Sequence, residues 1–284
     1  MLENFAALDA IDRYHTTAAA GTALRISQSA ISKRVAALEA RMGITVVERR
    51  GRGIEITQAG RRLLVRVRPL LAELRDIVSA VHDEDGGLGK LPIGVSESVL
   101  YCWGADVLKQ ASVGVSGLQL EIHTHRSPVV VDRVRSGEYL LGLCAGIAES
   151  APDLAIRPVL HEPMVLIPSG LKPLQKTKGL AVITIEEHAA TWQSIHRSVK
   201  TAGLQVESTV ESFAAIARMA TSGFGHGLVP KGVATAMGLK PKDYKVLKMT
   251  RPVSVVGRAT YVSRPKVAAF IDSIETGAQS LQKI

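Results

Sequence analysis

The densest run of residues able to do chemistry lies between Ser27 and Lys33. Ser27, Gln28, Ser29, Ser32 and Lys33 are small, polar or basic, and none is large and apolar. Hydroxyl, amide and ammonium groups of this kind hydrogen-bond base edges and phosphates, provided a rigid element carries them into a groove. Three other constellations invite different chemistry. His123 and His125 stand two apart on a β-prone run and so share one face, but a metal site lacks a clear third ligand. Gly142, Cys144 and Gly146 have the outline of a nucleophile elbow, yet they end an apolar run with no convincing helix after it. Cys102 and Cys144 are the only cysteines, with neither disulfide-framework nor metal-type spacing. They are expected to be reduced, buried thiols, with no metal and no catalytic residue. Redox sensing through Cys102 and Cys144, or a cleft enzyme using Cys144, stands as the alternative.

The run at Ser27 needs a helix, and the sequence supplies one. Ser27 is placed to cap its N-terminus, Ile31, Val35, Leu38 and Met42 form one stripe that is expected to be buried, and Gly43 suits the C′ position. Upstream, residues 2–14 are amphipathic through Phe5, Leu8 and Ile11, and residues 17–24 are alanine-rich. The short Arg25-Ile26 link then gives a helix-turn-helix, with Ala20 and Gly21 allowing close packing. Downstream, two β-prone runs predict a hairpin whose tip carries Arg49, Arg50 and Arg52.

Thr57 is placed to cap a long helix. Its apolar positions, Leu63, Leu64, Val67, Leu70, Leu71, Leu74, Ile77, Val78 and Val81, recur every three to four residues, interrupted by Pro69. Such a seam pairs with a second copy or is buried on its own domain; the small preceding domain offers little surface for the second. Charge and glycine in residues 82–89 mark a hinge.

Beyond it, strands at 91–95, 118–124 and 140–145 alternate with helices at 99–110 and 129–136, the latter with Ser127 as cap. A second series follows, with strands at 180–185, 205–210, 227–230 and 244–249. Runs at 154–160 and 253–263 read as crossovers, and a helix at 267–278 returns to the first lobe. The expected domains are therefore 1–58, 59–87 and 88–284. The last holds lobe I (about 88–161 plus 252–284) and lobe II (about 162–251), with a ligand cleft between them.

Residues 25–68 hold eleven basic and three acidic residues, so most of the net charge of +9 sits beside the helix-turn-helix. That is the footprint of phosphate neutralisation. No apolar run reaches the roughly 18 to 20 residues of a membrane span, and the first residues carry acids rather than a basic, then apolar, signal. A cytoplasmic protein without membrane contact is expected.

In this order, the features resemble the LysR-type transcriptional regulators. The matching residues are Ala20, Leu24, the run from Ser27 to Ser32, Leu38-Glu39, Met42-Gly43, and Thr57 with Ala59-Gly60. The chain departs from that pattern at Ser29, where proline is usual, at Gly21, where alanine is preferred, and at Val47, where phenylalanine is common. Gly21 is expected to cost its helix up to about 1 kcal/mol relative to alanine.

The resemblance implies a winged helix-turn-helix, a linker helix that dimerises and a two-lobed α/β effector domain like periplasmic solute-binding proteins. The partners it implies are promoter DNA with a two-fold repeated site, a second copy in a homodimer or homotetramer, a small-molecule effector, and RNA polymerase for an activator. It assigns Gln28, Ser29, Ser32 and Lys33 to base edges and nearby phosphates, and Arg34, Arg49, Arg50 and Arg52 to backbone or wing contacts; Arg34 has a structural ion pair as its other reading. In the cleft it points to Ser96, Glu97 and Ser98, where a hydroxyl pair would grip a carboxylate or would merely cap a helix. Glu97 turned inward would repel an anion or receive an ammonium group. Thr124, His125, Ser127, Thr191, Trp192, Phe224 and His226 are further candidates for the effector site. A small carboxylate is the expected effector, since helix N-termini favour anions, and no cofactor is expected.

Overall fold

The computed structural model describes residues 1–50, 53–82, 88–147, 153–174 and 177–281, and only the backbone of residues 76 and 79–82. Arg52, the hinge residues 83–87 and the side chain of Val81 therefore lie outside the described residues. The chain forms two compact units, Met1–Ser79 and Ala80–Ile284.

In the first unit, α1 (Leu2–Tyr14), α2 (Thr17–Leu24) and α3 (Gln28–Met42) surround one core. The Ser27 hydroxyl caps α3 by accepting from the Ala30 N–H at 3.1 Å, and Gly43 closes it at φ 66°. Ile31, Val35 and Leu38 pack with Leu8, Ile11 and Ala20. Met42, expected on the same buried stripe, is 37% exposed, because the core takes no α3 residue beyond Leu38.

The helix-turn-helix bend closes on Gly21. The Ile26 N–H donates to the Gly21 carbonyl at 2.9 Å, and a Cβ on Gly21 would stand 2.7 Å from the Ile26 oxygen. The departure expected to cost stability is thus what lets the turn close. The wing pairs β1 (Val47–Arg50) with β2 (Gly53–Ile56). One Glu39 carboxylate oxygen accepts from the N–H groups of Val46 and Val47, at 2.7 and 3.2 Å, and holds the wing's first strand to α3. Thr57 caps α4 (Gln58–His82) through the Gly60 N–H at 3.0 Å and donates to the Thr45 carbonyl at 2.8 Å. A Cβ on Gly60 would lie 2.3 Å from the Val46 oxygen, so only glycine fits.

The seam along α4, read as one pairing stripe, divides in two. The helix continues through Pro69, with Leu64, Val67 and Leu71 buried in its own unit and Leu70, Leu74, Ile77 and Val78 exposed. Arg68 ties it to α1, with Nε on Asp9 at 2.6 Å and Nη2 on Asp12.

In the second unit, β3 (Lys90–Ser96) leads into α5 (Glu97–Val99), one π turn at Leu100–Gly104, and α6 (Ala105–Val113). β4 (Gln119–His125), α7 (Ser127–Arg135) and β5 (Leu141–Ala145) complete a parallel β4-β3-β5 group. After β6 (Ala155–Ile167) come β7 (Ala181–Ile185), α8 (Ala190–Thr201), β8 (Gln205–Val210), α9 (Phe213–Thr221), β9 (His226–Pro230) and α10 (Lys231–Ala236). β10 (Lys245–Gly257), α11 (Ala259–Val262) and α12 (Pro265–Ser280) follow.

The eight strands are ordered β4-β3-β5-β10-β6-β9-β7-β8. β6 and β10, each 13 residues long and antiparallel, run from one lobe into the other. The run expected as strand through residue 263 ends at Gly257, where the chain folds back so closely that a Cβ would meet Val262 at 2.4 Å. Lobe I packs Leu91, Ile93 and Leu143 against α6 and against Phe270, Ile271 and Ile274 of α12. Lobe II packs Val165, Ile183 and Leu228 against Ile195 and Ile216. Among the described residues, no helix is long and apolar enough to cross a membrane.

Candidate DNA-reading face and ligand cleft

The exposed face of α3 carries Gln28, Ser29, Ser32, Lys33 and Ala36. Its hydroxyls are partly engaged. Ser27 caps the helix and shares a 2.9 Å hydrogen bond with Ser29, and the Ser32 hydroxyl donates to the Gln28 carbonyl at 3.2 Å. Gln28 and Lys33 have no side-chain partner among the described residues, so their donors and acceptor face outward uncommitted. Two arginines assigned to DNA contacts hold ion pairs: Arg34 with Glu3 at 2.6 Å and Arg50 with Glu55 at 3.0 Å. Arg49 is exposed on β1 and has no acidic partner among the described residues. The free amide and cations are those a duplex could engage without breaking an internal bond.

Between the lobes lies a cleft of about 50 Å³. Ser96, Glu97 and Ser98 line it from the end of β3, Arg126, Ser127 and Pro128 from the start of α7, and Ala189, Ala190 and Thr191 from the start of α8. Glu211, just before α9, and Phe213, its first residue, also line it, as do Ala145 and Ile185 at the ends of β5 and β7. Ser127 is the first residue of its helix rather than the cap expected from the sequence, because its hydroxyl instead accepts from the Ala145 N–H at 3.0 Å. Gly146 lets the two lobes touch beside it: a Cβ there would lie 2.3 Å from the Thr191 nitrogen, and its φ is +82°.

Beneath the cleft is Arg251 of β10, 0% exposed. Its Nε donates to Glu162 of β6 at 2.8 Å, and its Nη1 reaches the hydroxyls of Ser98 at 2.9 Å and Thr191 at 3.5 Å. A guanidinium only donates, so a hydroxyl that accepts from it must donate its own proton elsewhere. The described residues offer no acceptor to the hydroxyl protons of Ser98, Thr191 or Ser127. Ser96, 8% exposed, has no side-chain partner there at all. Four cleft hydroxyls therefore have a proton to give to a ligand, and two of them, one from each lobe, are set by a single buried cation.

Thr124, His125, Trp192, Phe224 and His226 do not line this cleft. His123 and His125 stack on Tyr139, with ring centroids 4.9 and 6.0 Å away, and burial with the Arg133 charge lowers the pKa of His125. Trp192 packs on the lobe II core and against His196, Phe224 is 75% exposed, and His226 Nδ1 accepts from the Ser169 N–H at 3.1 Å. No cluster of three or more metal-type ligands occurs among the described residues.

Burial pushes both thiols up to about 12; Glu162 adds to this at Cys102, and at Cys144 the Ser127 carbonyl accepts from the thiol. Sequence reasoning passed over Arg126, Glu211, Phe213, Arg251 and Glu162. A signal existed for the last two: each is a charge directly before a β-prone run, 163–167 after Glu162 and 252–256 after Arg251, where burial tolerates a charge only in a paired group.

A winged helix-turn-helix and a two-lobed α/β unit with a donor-lined cleft define a DNA-binding protein with a ligand-sensing half. The chain belongs to the LysR family of transcriptional regulators. The family model for the bacterial regulatory helix-turn-helix protein, lysR family, matches residues 2–61, and that for the LysR substrate binding domain matches residues 84–279. An uncharacterized HTH-type transcriptional regulator of Vibrio cholerae is 27% identical over 282 residues, covering 96% of this chain and 95% of that protein. Two solved structures share the fold. A full-length OxyR variant from Pseudomonas aeruginosa, with one cysteine replaced by aspartate, has a TM-score of 0.76 at 18% identity, covering 98% of this chain and 96% of that one. ArgP from Mycobacterium tuberculosis has a TM-score of 0.68 at 17% identity, covering 97% and 96%.

Proposed function

We propose that this LysR-family regulator reads a two-fold repeated promoter site through α3 and the wing, and that a small carboxylate held between the lobes switches that binding. Gln28, Ser29, Ser32 and Lys33 serve base edges and nearby phosphates, with Ser27 fixing the helix start. Arg49, Arg50 and Arg52 serve the wing's backbone contacts. Arg34 acts mainly by orienting α1 on α3. The exposed Leu70, Leu74, Ile77 and Val78 of α4 pair with a second copy, giving a dimer or a pair of dimers, and an activating role would add contact with RNA polymerase. Such a protein works in the cytoplasm as a regulator rather than as an enzyme.

The effector reading is carried by one observation: Ser98 of lobe I and Thr191 of lobe II both accept from the buried Arg251, which leaves their protons for an acceptor between the lobes. Ser96 and Ser127 add to the donor set. The thiols favour the redox reading less, since a responsive cysteine needs a lowered pKa and both are raised to about 12. Cys144, fully buried, is no better placed as a nucleophile.

The test selects duplexes from a random pool with the full chain, then titrates the selected duplex with small carboxylates. Enrichment of a two-fold repeat with half-sites about 34 Å apart, and a carboxylate that shifts the affinity, is the expected result. Enrichment of no sequence, or a shift caused only by peroxide and abolished in C102S, would overturn it.

A further inference from the structure

The cleft pairs its donor floor with an acidic rim. Glu97 and Glu211 both line it and are exposed at its edge, and neither has a cationic partner among the described residues. Glu97 spends one oxygen accepting from the Ser212 hydroxyl of the opposite lobe at 3.2 Å. The lining cation, Arg126, is paired with Glu186, and the cation below, Arg251, is paired with Glu162 at 2.7 Å. The unpaired charges facing the cleft are therefore negative, although the deeper hydroxyls each have a proton left to donate.

A simple anion satisfies the floor but is repelled by the rim, and a simple cation does the reverse. We infer that the effector carries both charges, a carboxylate seated on Ser96, Ser98, Ser127 and Thr191 and an ammonium or similar cation directed to Glu97 and Glu211, as in an α-amino acid. This rests on the carboxylate reading above and names the class of compound. The polar side chain that most needs a ligand is Ser96, more than nine-tenths buried against the cleft with no partner for its hydroxyl. The cleft's small volume, about 50 Å³, limits a ligand that enters without lobe movement to a handful of heavy atoms. Because the Glu97 to Ser212 bond joins the lobes, a cation that engages Glu97 acts on the contact that sets their separation.

The test titrates the full chain by calorimetry and thermal shift with each proteinogenic L-α-amino acid, beside the carboxylic acid that lacks its amine, for example glycine with acetate and L-alanine with propionate. At least one amino acid should bind about ten- to a hundredfold more tightly than its desamino partner, the scale of one charge contact near a protein surface. That preference should shrink in Glu97→Gln and in Glu211→Gln and vanish in the double variant, whereas Ser98→Ala should weaken both compounds of a pair alike. Desamino acids that bind as tightly as their amino acids in every pair that binds, or a preference untouched by the glutamine variants, overturn the inference while the carboxylate reading stands. Silence of every compound in both series overturns the carboxylate reading, and this inference with it.

Discussion

The two faces proposed to work in this regulator are built on opposite plans. The face proposed to read DNA is assembled from consecutive turns of one helix, Ser27 to Lys33, and its residues are exposed. The cleft is assembled from residues between Ser96 and Phe213, supported by Arg251 below, and its key groups are buried. On the first face, chemistry follows from the side chains themselves. In the second, it follows from what each side chain has already been made to do: a serine that accepts from a buried guanidinium is left with its own proton to donate. A local face should therefore lose function by single contacts, and a distributed one should fail through its supports.

The largest effect should come from the support. Arg251→Met leaves Glu162 buried without its cation and should cost about 3 to 5 kcal/mol in urea unfolding, while Arg251→Met with Glu162→Met should recover much of that. Equal losses in the single and double variants would break the claim that pairing matters here.

Burial should next show in the thiols. With both held near 12 against an ordinary value of 9.0, iodoacetamide at pH 8 should label them about a thousandfold more slowly than in urea. The sign for stability follows: unfolded thiols ionise near pH 9 while folded ones stay protonated, so raising the pH between 9 and 12 should favour unfolding. Labelling of the native chain at the unfolded rate would place Cys102 at an accessible surface and reopen the redox reading.

On the DNA side the effects should be smaller and separable. Gln28→Ala should cost about 1 to 3 kcal/mol on the selected site and little on random DNA. Lys33→Ala or Arg49→Ala should weaken every sequence and lower the salt slope by about one. A uniform loss in Gln28→Ala would contradict that division. Smallest is Gly21→Ala, in which the gain of up to about 1 kcal/mol in helix propensity meets a Cβ 2.7 Å from the Ile26 oxygen. A modest net fall in melting temperature is expected, and a rise would show that the turn can give way.

Much of the first unit was legible in the sequence because its signals are local. The Ser27 cap, the C′ glycine and the Thr57 cap each act within a turn. The exceptions were Met42, expected buried but exposed, and α4, where periodicity revealed the apolar stripe but only packing showed Leu64, Val67 and Leu71 taken up by their own unit. In the cleft, the expected Ser96, Glu97, Ser98, Ser127 and Thr191 do meet, whereas Thr124 and His125, at the end of the strand before α7, do not line it. Phe224 and His226 were also expected to line it, yet Phe224 is 75% exposed and neither is among the lining residues.

By itself, then, the sequence determined the helices and caps of the first unit, the alternation of strand and helix in the second, and a basic zone beside α3, because these follow from propensity and spacing along the chain. Only the tertiary structure decided that Arg251 and Glu162, 89 positions apart, sit beneath the hydroxyls of two lobes. The roles of those hydroxyls as donors, and of Glu97 and Glu211 as an unpaired rim, depend on which groups the fold brings within hydrogen-bonding distance, and no spacing along the chain encodes that.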